Sequence, residues 1–314
     1  MSWALDVINP AGARVGASLD AWPKLKTQGF RLPELRVSTG RPDDPVMLDL
    51  SGCGLGDCLS ALPAAQHLAN GGGGSRQLWV LCPSKMAFAF APLDCRVLTS
   101  APDGFLGLRL DGLAALQQTM LAGFAGFNPV EALCALADCK PAVPALVPNL
   151  SLVSHAERLI AAKAPDRQII IVQPRSASAC KDWPLDCWLD LAERLEAAGG
   201  RAFSSDGPSG HLQPLSSLPP SVEELAAQIA VADLVVAPDS LGLHLAAAVG
   251  TPCIGLFGPT LGKAMCRWYP LARALQSPTS LGTGSAASGA CPPGLTGLTV
   301  SAVEAACLEE LGDG

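Results

Sequence analysis

The chain has 314 residues, of which 49% are hydrophobic and only 16% charged, so it is long enough for two domains and too apolar to be disordered. Its formal net charge of −7 argues against a general nucleic-acid binder and provides no attraction to anionic lipid. The twelve cysteines are scattered, without a C-x-x-C pair or a zinc-type Cys/His cluster, which predicts reduced, mostly buried thiols in a cytosolic protein.

The beginning of the chain carries no recognisable motif. Asp6, Arg14 and Asp20 interrupt it, so we expect no secretory leader. Frequent prolines break it up further, and we interpret residues 1–45 as an N-terminal extension packed on the surface. Later in the chain, Leu113–Val130 is uncharged but contains glutamines, an asparagine and a proline, so we expect peripheral membrane contact at most.

A first Rossmann-like domain is predicted over residues 46–155. It opens with the buried strand Val46–Leu50, a loop that contains Gly54 and Gly56, and Asp57 at the start of a helix. A strand, a glycine-rich turn and a helix open many nucleotide-binding domains, although this loop is not G-x-G-x-x-G and is weak evidence by itself. Further elements are predicted as strands at Leu78–Leu81, Arg96–Leu98 and Leu108–Leu110 and helices at 112–126 and Leu152–Ala162.

A second domain is predicted over residues 156–314. It opens with the apolar strand Gln168–Val172, which is typical of a parallel sheet buried on both faces. A polar loop follows that contains Arg175 and Ser176 and leads to Lys181 ahead of an amphipathic helix. Other predicted features are a strand at Arg201–Ser204, a Gly/Ser/Pro-rich surface loop at Gly282–Gly294, and capping boxes at Ser221/Glu224 and Ser301/Glu304 for the helix Val222–Ala230 and the last helix.

The stretch from Val231 to Thr260 contains a complete strand–helix–strand unit. Its predicted elements are the strand Leu234–Ala237, the helix Leu241–Val249 and the strand Cys253–Phe257. Asp239 and Ser240 lie between the first strand and the helix, where we expect them to cap it. The loop after such a strand lies where open α/β sheets bind ligands, and the amide groups of the first helical turn suit a phosphate.

The same stretch resembles the C-terminal signature of glycosyltransferase family 9, the heptosyltransferase-like enzymes, roughly D-S-G-x-x-H-L-A-A-x-x-G-T-P-x-x-x-L-F-G-P-T. The residues that match are Asp239, Ser240, His244–Ala247, Gly250–Pro252 and Leu256–Thr260. One position departs from the pattern, because Leu241 replaces the family's glycine and Gly242 follows it. Shorter matches to the family's N-terminal motif and its Lys-x-Trp-Pro segment comprise Gly56, Asp57, Leu62 and Pro63, and Lys181, Trp183 and Pro184.

The resemblance implies an α/β fold of two facing Rossmann-like domains with parallel sheets, the GT-B architecture, with the acceptor on the first domain and the nucleotide sugar on the second. It implies that Asp57 is the catalytic base and that Lys181 compensates the leaving diphosphate. The remaining implied residues are Arg175, Ser176, Asp239, Ser240, Gly242 and His244 for the donor and Gly54 and Gly56 in the glycine-rich loop. No glutamate stands at 206–211, where the family has an acid for the nucleotide ribose, and we do not assign that role to Asp206.

Each implied residue also has a purely structural interpretation. Asp57 is suited to cap its helix, Lys181 to be a solvated lysine at a helix start, and His244 to be a buried structural histidine. Asp239 would repel a diphosphate, so we expect it to contact sugar hydroxyls or to fix its own loop.

These patterns predict an inverting, metal-independent glycosyltransferase without a cofactor. By the resemblance, it would move a heptose from ADP-heptose, its nucleotide-sugar partner, to a saccharide, glycolipid or protein acceptor such as lipopolysaccharide core, in the cytoplasm or at the inner face of the inner membrane. Two alternatives stay open. One is a catalytically reduced nucleotide-sugar-binding protein of the same fold, favoured by Leu241, the short first domain and the missing ribose acid. The other is a sugar-nucleotide epimerase of similar architecture.

Overall fold

The computed structural model describes residues 4–18, 21–72, 74–123, 126–216, 219–278 and 294–312. The described residues up to Ala142 form one compact unit, and those from Val143 onward form a second. Each unit contains a five-stranded sheet with parallel pairing and surrounding helices, so the predicted α/β class with two parallel sheets is confirmed. The predicted loop Gly282–Gly294 lies outside the described residues except for Gly294.

The first unit is built on a sheet of strand order β3-β7-β4-β5-β6, in which β3 is antiparallel to β7 and the other pairs are parallel. The strands of this unit are β1 (Ala4–Ile8), β2 (Arg14–Ser18), β3 (Arg36–Ser38), β4 (Val46–Asp49), β5 (Leu78–Leu81), β6 (Cys95–Leu98) and β7 (Leu108–Asp111). Its helices are α1 (Trp22–Thr27), α2 (Leu55–Ser60), α3 (Leu62–His67), α4 (Ala87–Phe90), α5 (Gly112–Ala122) and α6 (Pro129–Leu136). All four residues of β4 are buried, and they include the charged Asp49 at its end as well as three apolar residues.

The residues interpreted as an extension are part of this unit. Strands β1 and β2 form an antiparallel hairpin, and Leu5 and Val7 of the hairpin are buried. A hydrogen bond joins the hairpin to α5, because the backbone nitrogen of Asp6 donates to Gln117 Oε1 at 3.0 Å. Strand β3 completes the edge of the sheet beside β7. The first 45 residues therefore contribute both core and sheet.

The second unit contains a sheet of order β12-β11-β10-β8-β9 in which all pairs are parallel. Its strands are β8 (Gln168–Val172), β9 (Gly200–Ser204), β10 (Leu234–Pro238), β11 (Cys253–Phe257) and β12 (Ala272–Gln276). Its helices are α7 (Leu150–Lys163), α8 (Leu185–Ala197), α9 (Val222–Ala230), α10 (Leu241–Val249), α11 (Gly262–Met265) and α12 (Val300–Gly312). The predicted bounds of α9, α10 and β11 are confirmed.

Alternate side chains along the strands form the core on one face of the second unit's sheet. Ile170 and Val172 of β8 are buried against Trp188 and Leu191 of α8, and Val303 of α12 joins the same cluster. Successive side chains of a strand point to opposite faces, so the intervening strand residues meet other helices. This packing leaves the loops at the carboxyl ends of β8 and β10 to carry the polar residues of the predicted site.

Of the two predicted capping boxes, one is confirmed. Ser221 and Glu224 bond each other's backbone groups at the start of α9. The box at Ser301/Glu304 is wrong, because α12 begins at Val300 and the hydroxyl of Thr299 accepts from the backbone nitrogen of Ala302 at 3.3 Å. Glu304 instead accepts a hydrogen bond from Arg194 of α8 at 3.1 Å.

Candidate functional site

A cluster of polar residues in the second unit lies where β10 ends and α10 begins. Strand β10 is entirely buried and ends at Pro238, and α10 starts at Leu241, so Asp239 and Ser240 occupy the turn. The carboxyl ends of parallel strands are where open α/β sheets place their ligand sites. The turn is therefore in the position that the sequence predicts for a binding loop.

Lys181 is tied to this turn. Its Nζ lies 2.6 Å from Asp239 Oδ2 and 3.5 Å from the backbone oxygen of Asp239, although the two residues are 58 positions apart in sequence. Thr260, which follows β11, donates its hydroxyl to the same Oδ2 at 2.7 Å. One carboxylate thereby joins the loops after β8, β10 and β11. The contact fits the expectation that Asp239 fixes its loop, while any contact with sugar hydroxyls stays a prediction.

Asp239 is ionised in spite of its burial. Burial alone would raise the pKa of the Asp239 carboxyl, but the neighbouring Lys181 ammonium and the hydrogen bonds from Lys181 and Thr260 lower that pKa below its usual value. The side chains of Lys181 and Asp239 are 18% and 5% exposed, so the pair is largely shielded from water. Removing either partner would leave an uncompensated charge in this environment.

His244 lies one turn into α10 and faces the same carboxylate. Its Nε2 is 3.9 Å from Asp239 Oδ1, and its Nδ1 is 2.6 Å from the hydroxyl of Tyr269. Burial lowers the pKa of His244 to about 4, outweighing the attraction of Asp239, so the imidazole is neutral at pH 7. A neutral imidazole presents one N–H and one lone pair, and can donate a hydrogen bond without adding charge.

Gln173, at the end of β8, was not singled out from the sequence. Its Oε1 accepts from Ser240 Oγ at 2.9 Å and from the backbone nitrogen of Gly242 at 2.6 Å. Ser240 occupies the N-cap position of α10, but its side chain does not cap the helix, and Asp239 is bonded to Lys181 and Thr260. The expectation that Asp239 and Ser240 cap α10 is therefore wrong, because Gln173 accepts the amide of the first turn instead.

The departure at Leu241 does not strain the turn. The non-glycine residues with positive φ in the described part of the chain are Asp138 and Asp166, so Leu241 does not require the conformation that favours glycine. The close approach is instead at Gly242, where a Cβ atom would lie 2.5 Å from Gln173 Oε1 and would have to displace that side chain.

Arg175 and Ser176 lie on the loop after β8 but have other partners. The backbone nitrogen of Arg175 donates to Asp206 Oδ2 at 2.9 Å, and its side chain is exposed. The hydroxyl and backbone nitrogen of Ser176 both lie 2.7 Å from Asp182 Oδ1. The loop is therefore shaped by two carboxylates, and contact of Arg175 or Ser176 with a donor stays a prediction.

In the first unit, the predicted base Asp57 is the third residue of α2. Its Oδ2 accepts from the backbone nitrogen of Gly54 at 3.2 Å, and Gly56 precedes it in the first turn of the helix. Just upstream, Asp49 at the end of β4 accepts from both the backbone and the hydroxyl of Ser51 and pairs with Arg109. Asp57 is half-buried at the carboxyl end of the sheet, and its role as base stays a prediction.

Three residues of the cluster were missed as site residues: Gln173, Thr260 and Tyr269. Thr260 lay in the matched signature without a role, and Tyr269 is the single tyrosine of the sequence. Among the described residues, no group of three or more His, Cys, Asp or Glu side chains is arranged to hold a metal ion. Nor does any helix in the described ranges have both the length and the apolar character to span a membrane.

Comparison with known proteins connects this site to one family. Residues 218–282, which include β10, α10 and β11, match glycosyltransferase family 9 (heptosyltransferase). No curated protein matches the chain in sequence. The matched residues include Asp239, Ser240, His244 and Thr260 of the cluster.

Solved structures match over most of the chain. A glycosyl transferase family 9 protein from Veillonella parvula DSM 2008 matches with a TM-score of 0.61 at 13% identity, over 88% of this chain and 100% of that chain. The ADP-heptose LPS heptosyltransferase II of E. coli matches with a TM-score of 0.58 at 13% identity, over 86% of this chain and 99% of that chain. The E. coli heptosyltransferase WaaC with ADP gives 0.52 at 17% identity, over 86% and 98%.

At these identities the structural likeness shows the fold, which is that of the GT-B heptosyltransferases. The family match adds the segment that carries the polar cluster. The chain thus shares its fold with solved heptosyltransferases and, over residues 218–282, matches glycosyltransferase family 9 (heptosyltransferase) in sequence.

Proposed function

We propose that this protein is a family 9 glycosyltransferase that transfers a heptose from ADP-heptose, with inversion, to a saccharide or lipid-linked acceptor such as lipopolysaccharide core. The observation that carries the proposal is the pairing of Lys181 Nζ with Asp239 Oδ2 at 2.6 Å, beside the first turn of α10. A diphosphate at this turn would meet a cation and the positive end of a helix. The solved structures of WaaC with ADP and with ADP-2-deoxy-2-fluoro heptose support the choice of donor.

The proposed reaction is a single in-line displacement. The Asp57 carboxylate accepts the proton of the acceptor hydroxyl, whose oxygen forms a bond to the anomeric carbon of the sugar. The bond from that carbon to the diphosphate oxygen breaks, and ADP leaves with the electron pair. Attack opposite to the leaving group inverts the anomeric centre.

The leaving diphosphate requires positive compensation, which we assign to Lys181 and the positive end of α10. Lys181 is paired with Asp239, so the diphosphate competes with a carboxylate for this ammonium. We propose that Ser240 turns its hydroxyl from Gln173 Oε1 to the donor, and that the neutral His244 also donates a hydrogen bond to the donor. Arg175 and Ser176 approach the donor from the loop after β8. With these groups supplying the compensation, the proposed mechanism needs no metal ion.

The proposed acceptor determines where the enzyme works. A lipid-linked saccharide would be met at the inner face of the inner membrane, and a soluble saccharide or a protein in the cytoplasm. The nucleotide-sugar-binding alternative differs from the enzyme in one respect, since it would bind the donor without transferring the sugar.

The test combines binding and transfer. Calorimetry with ADP, UDP and GDP should show preference for ADP, and mass spectrometry should detect heptose added to heptose-deficient lipopolysaccharide core in the presence of EDTA. Loss of transfer in EDTA that added Mg²⁺ restores would contradict metal independence. Binding of ADP without transfer to any member of an acceptor panel would favour the binding-protein alternative, and binding of no nucleotide would overturn the proposal.

A further inference from the structure

Tyr269 makes a specific contact with His244 in the second unit. The hydroxyl of Tyr269 lies 2.6 Å from Nδ1 of His244, and the two rings meet edge to face with centroids 5.7 Å apart. Both residues are buried, Tyr269 at 2% exposure and His244 at 6%. The contact therefore forms in an environment where polar groups rely on each other for hydrogen bonds.

The other ring nitrogen of His244 faces a negative charge. Nε2 lies 3.9 Å from Asp239 Oδ1, while Oδ2 of the same carboxylate holds Lys181 and Thr260. A neutral imidazole has its proton on one of the two nitrogens. A lone pair on Nε2 would be repelled by the nearby carboxylate, whereas an N–H there is attracted.

These contacts determine which nitrogen is protonated. With the proton on Nε2, Nδ1 is an acceptor, and the Tyr269 hydroxyl is the donor placed to bond it. We infer that Tyr269 is a positioning residue that holds His244 in its Nε2–H tautomer. The separation of 3.9 Å from Asp239 Oδ1 exceeds a hydrogen bond, so this N–H is free of Asp239 and can donate to an oxygen of the donor.

This inference rests on the proposed function for its consequence, because the donor is the group that the oriented N–H would bind. The orientation itself can be tested without substrate. A hydrogen bond from a second residue to the far nitrogen of a histidine is a general way to set its tautomer. Tyr269→Phe is a sharp probe, since it removes the hydroxyl and keeps the ring that packs against His244.

The first measurement is nuclear magnetic resonance of protein labelled with ¹⁵N-histidine at pH 7.5. The sequence has four histidines, and His244→Gln identifies the signals of His244 by their loss. We expect the Nε2–H tautomer to dominate in the wild-type protein and the Nδ1–H tautomer to gain population in Tyr269→Phe. An unchanged tautomer in Tyr269→Phe, or an Nδ1–H tautomer in the wild type, overturns the inference.

The second measurement separates orientation from packing by sugar transfer. We expect Tyr269→Phe to lower kcat about 5- to 30-fold while the Kd for ADP changes less than about threefold. Gln at 244 carries its donor on the atom that corresponds to Nε2 and has no tautomer, so adding Tyr269→Phe to His244→Gln should have little further effect. An equal loss in both backgrounds would contradict the inference and indicate a packing role.

The two proposals fail in different ways. If the protein binds no ADP, the proposed function fails, and the tautomer spectra still decide whether Tyr269 orients His244. If ADP binds and sugar is transferred but the tautomer does not respond to Tyr269→Phe, only the role of Tyr269 is lost.

Discussion

The side-chain oxygen of Gln173 lies 2.6 Å from the backbone nitrogen of Gly242. A side chain that directly follows β8 therefore accepts a hydrogen bond from the first turn of α10. The same oxygen accepts from Ser240 Oγ at 2.9 Å. A helix interior ordinarily favours alanine over glycine by about 1 kcal/mol. At position 242, however, a Cβ would lie 2.5 Å from the Gln173 oxygen, so alanine there would have to displace the Gln173 side chain.

We expect Gly242→Ala to lower the free energy of unfolding by about 1–3 kcal/mol, because the methyl group must displace Gln173. Urea denaturation measures the loss. Adding Gln173→Ala removes the obstacle, so the double variant should lose less than the sum of the single changes. Gly16→Ala is the control, since nothing lies within 4 Å of a Cβ at that position. Additive losses would show that the two residues do not interact.

Asp57→Asn tests the proposed base. Asparagine keeps the shape of the side chain and an oxygen that can accept from Gly54, but it cannot take the proton of the acceptor hydroxyl. We expect sugar transfer to fall by about 10²- to 10⁴-fold, with the Kd for ADP changed less than about threefold. Asp43→Asn, an exposed aspartate of the same unit, should transfer sugar at the wild-type rate. Equal rates for Asp57→Asn and wild type would remove Asp57 from the mechanism.

Lys181→Met tests the buried ion pair by removing the ammonium group that Asp239 contacts. It leaves the Asp239 carboxylate without its ammonium partner, so we expect the free energy of unfolding to fall by about 3–5 kcal/mol. Combining Lys181→Met with Asp239→Asn removes the stranded charge and should recover most of that stability. We expect both the single and the double variant to bind ADP more weakly than the wild-type protein does. Lys263→Met, at an exposed position of the same unit, serves as the control. A loss below about 1 kcal/mol for Lys181→Met would argue against a stabilising pair.

His244 gives the protein a defined response to acid. Its folded-state pKa is lowered from 6.5 to about 4, so the unfolded chain binds a proton between these values and the folded chain does not. The contribution of the neutral His244 to the free energy of unfolding is then fully present above pH 6.5. It falls by about 3 kcal/mol as the pH drops to 4. Asp239 has a lowered folded pKa, so its contribution is present above its unfolded pKa and is lost at still lower pH.

The measurement is urea denaturation at a series of pH values between 8 and 4. His244→Gln should flatten the slope between pH 6.5 and 4, and the exposed His155→Gln should leave it unchanged. A slope that persists in His244→Gln would assign the acid response to other groups.

The parts of the fold that could be predicted from the sequence are those in which apolar residues follow one another without interruption. Helix α10 and strand β11 are continuous apolar segments bounded by polar or glycine residues, and their predicted limits are confirmed. Strand β3 is three exposed residues, and β12 is only partly buried along its length, so neither carries a burial pattern. These strands form because a neighbouring strand offers unpaired backbone groups, which their own sequences do not reveal.

The site shows the same division. Asp239, Ser240 and His244 could be singled out because they are close together in sequence around one helix start. Gln173 and Tyr269 could not, since they reach that helix from β8 and from the segment before β12, and only the folded sheet brings them there. The capping of α10 was predicted wrongly for this reason, because the sequence offers local side chains and the structure uses a distant one.

The hairpin at the start of the chain has a practical consequence for anyone who shortens this protein. Deleting residues 1–45 would remove the buried Leu5 and Val7 together with strand β1, which lies beside α5, and would leave the outer edge of β7 unpaired. An open strand edge beside fresh apolar surface invites pairing with other molecules. We expect such a trimmed protein to precipitate rather than to give a smaller soluble protein.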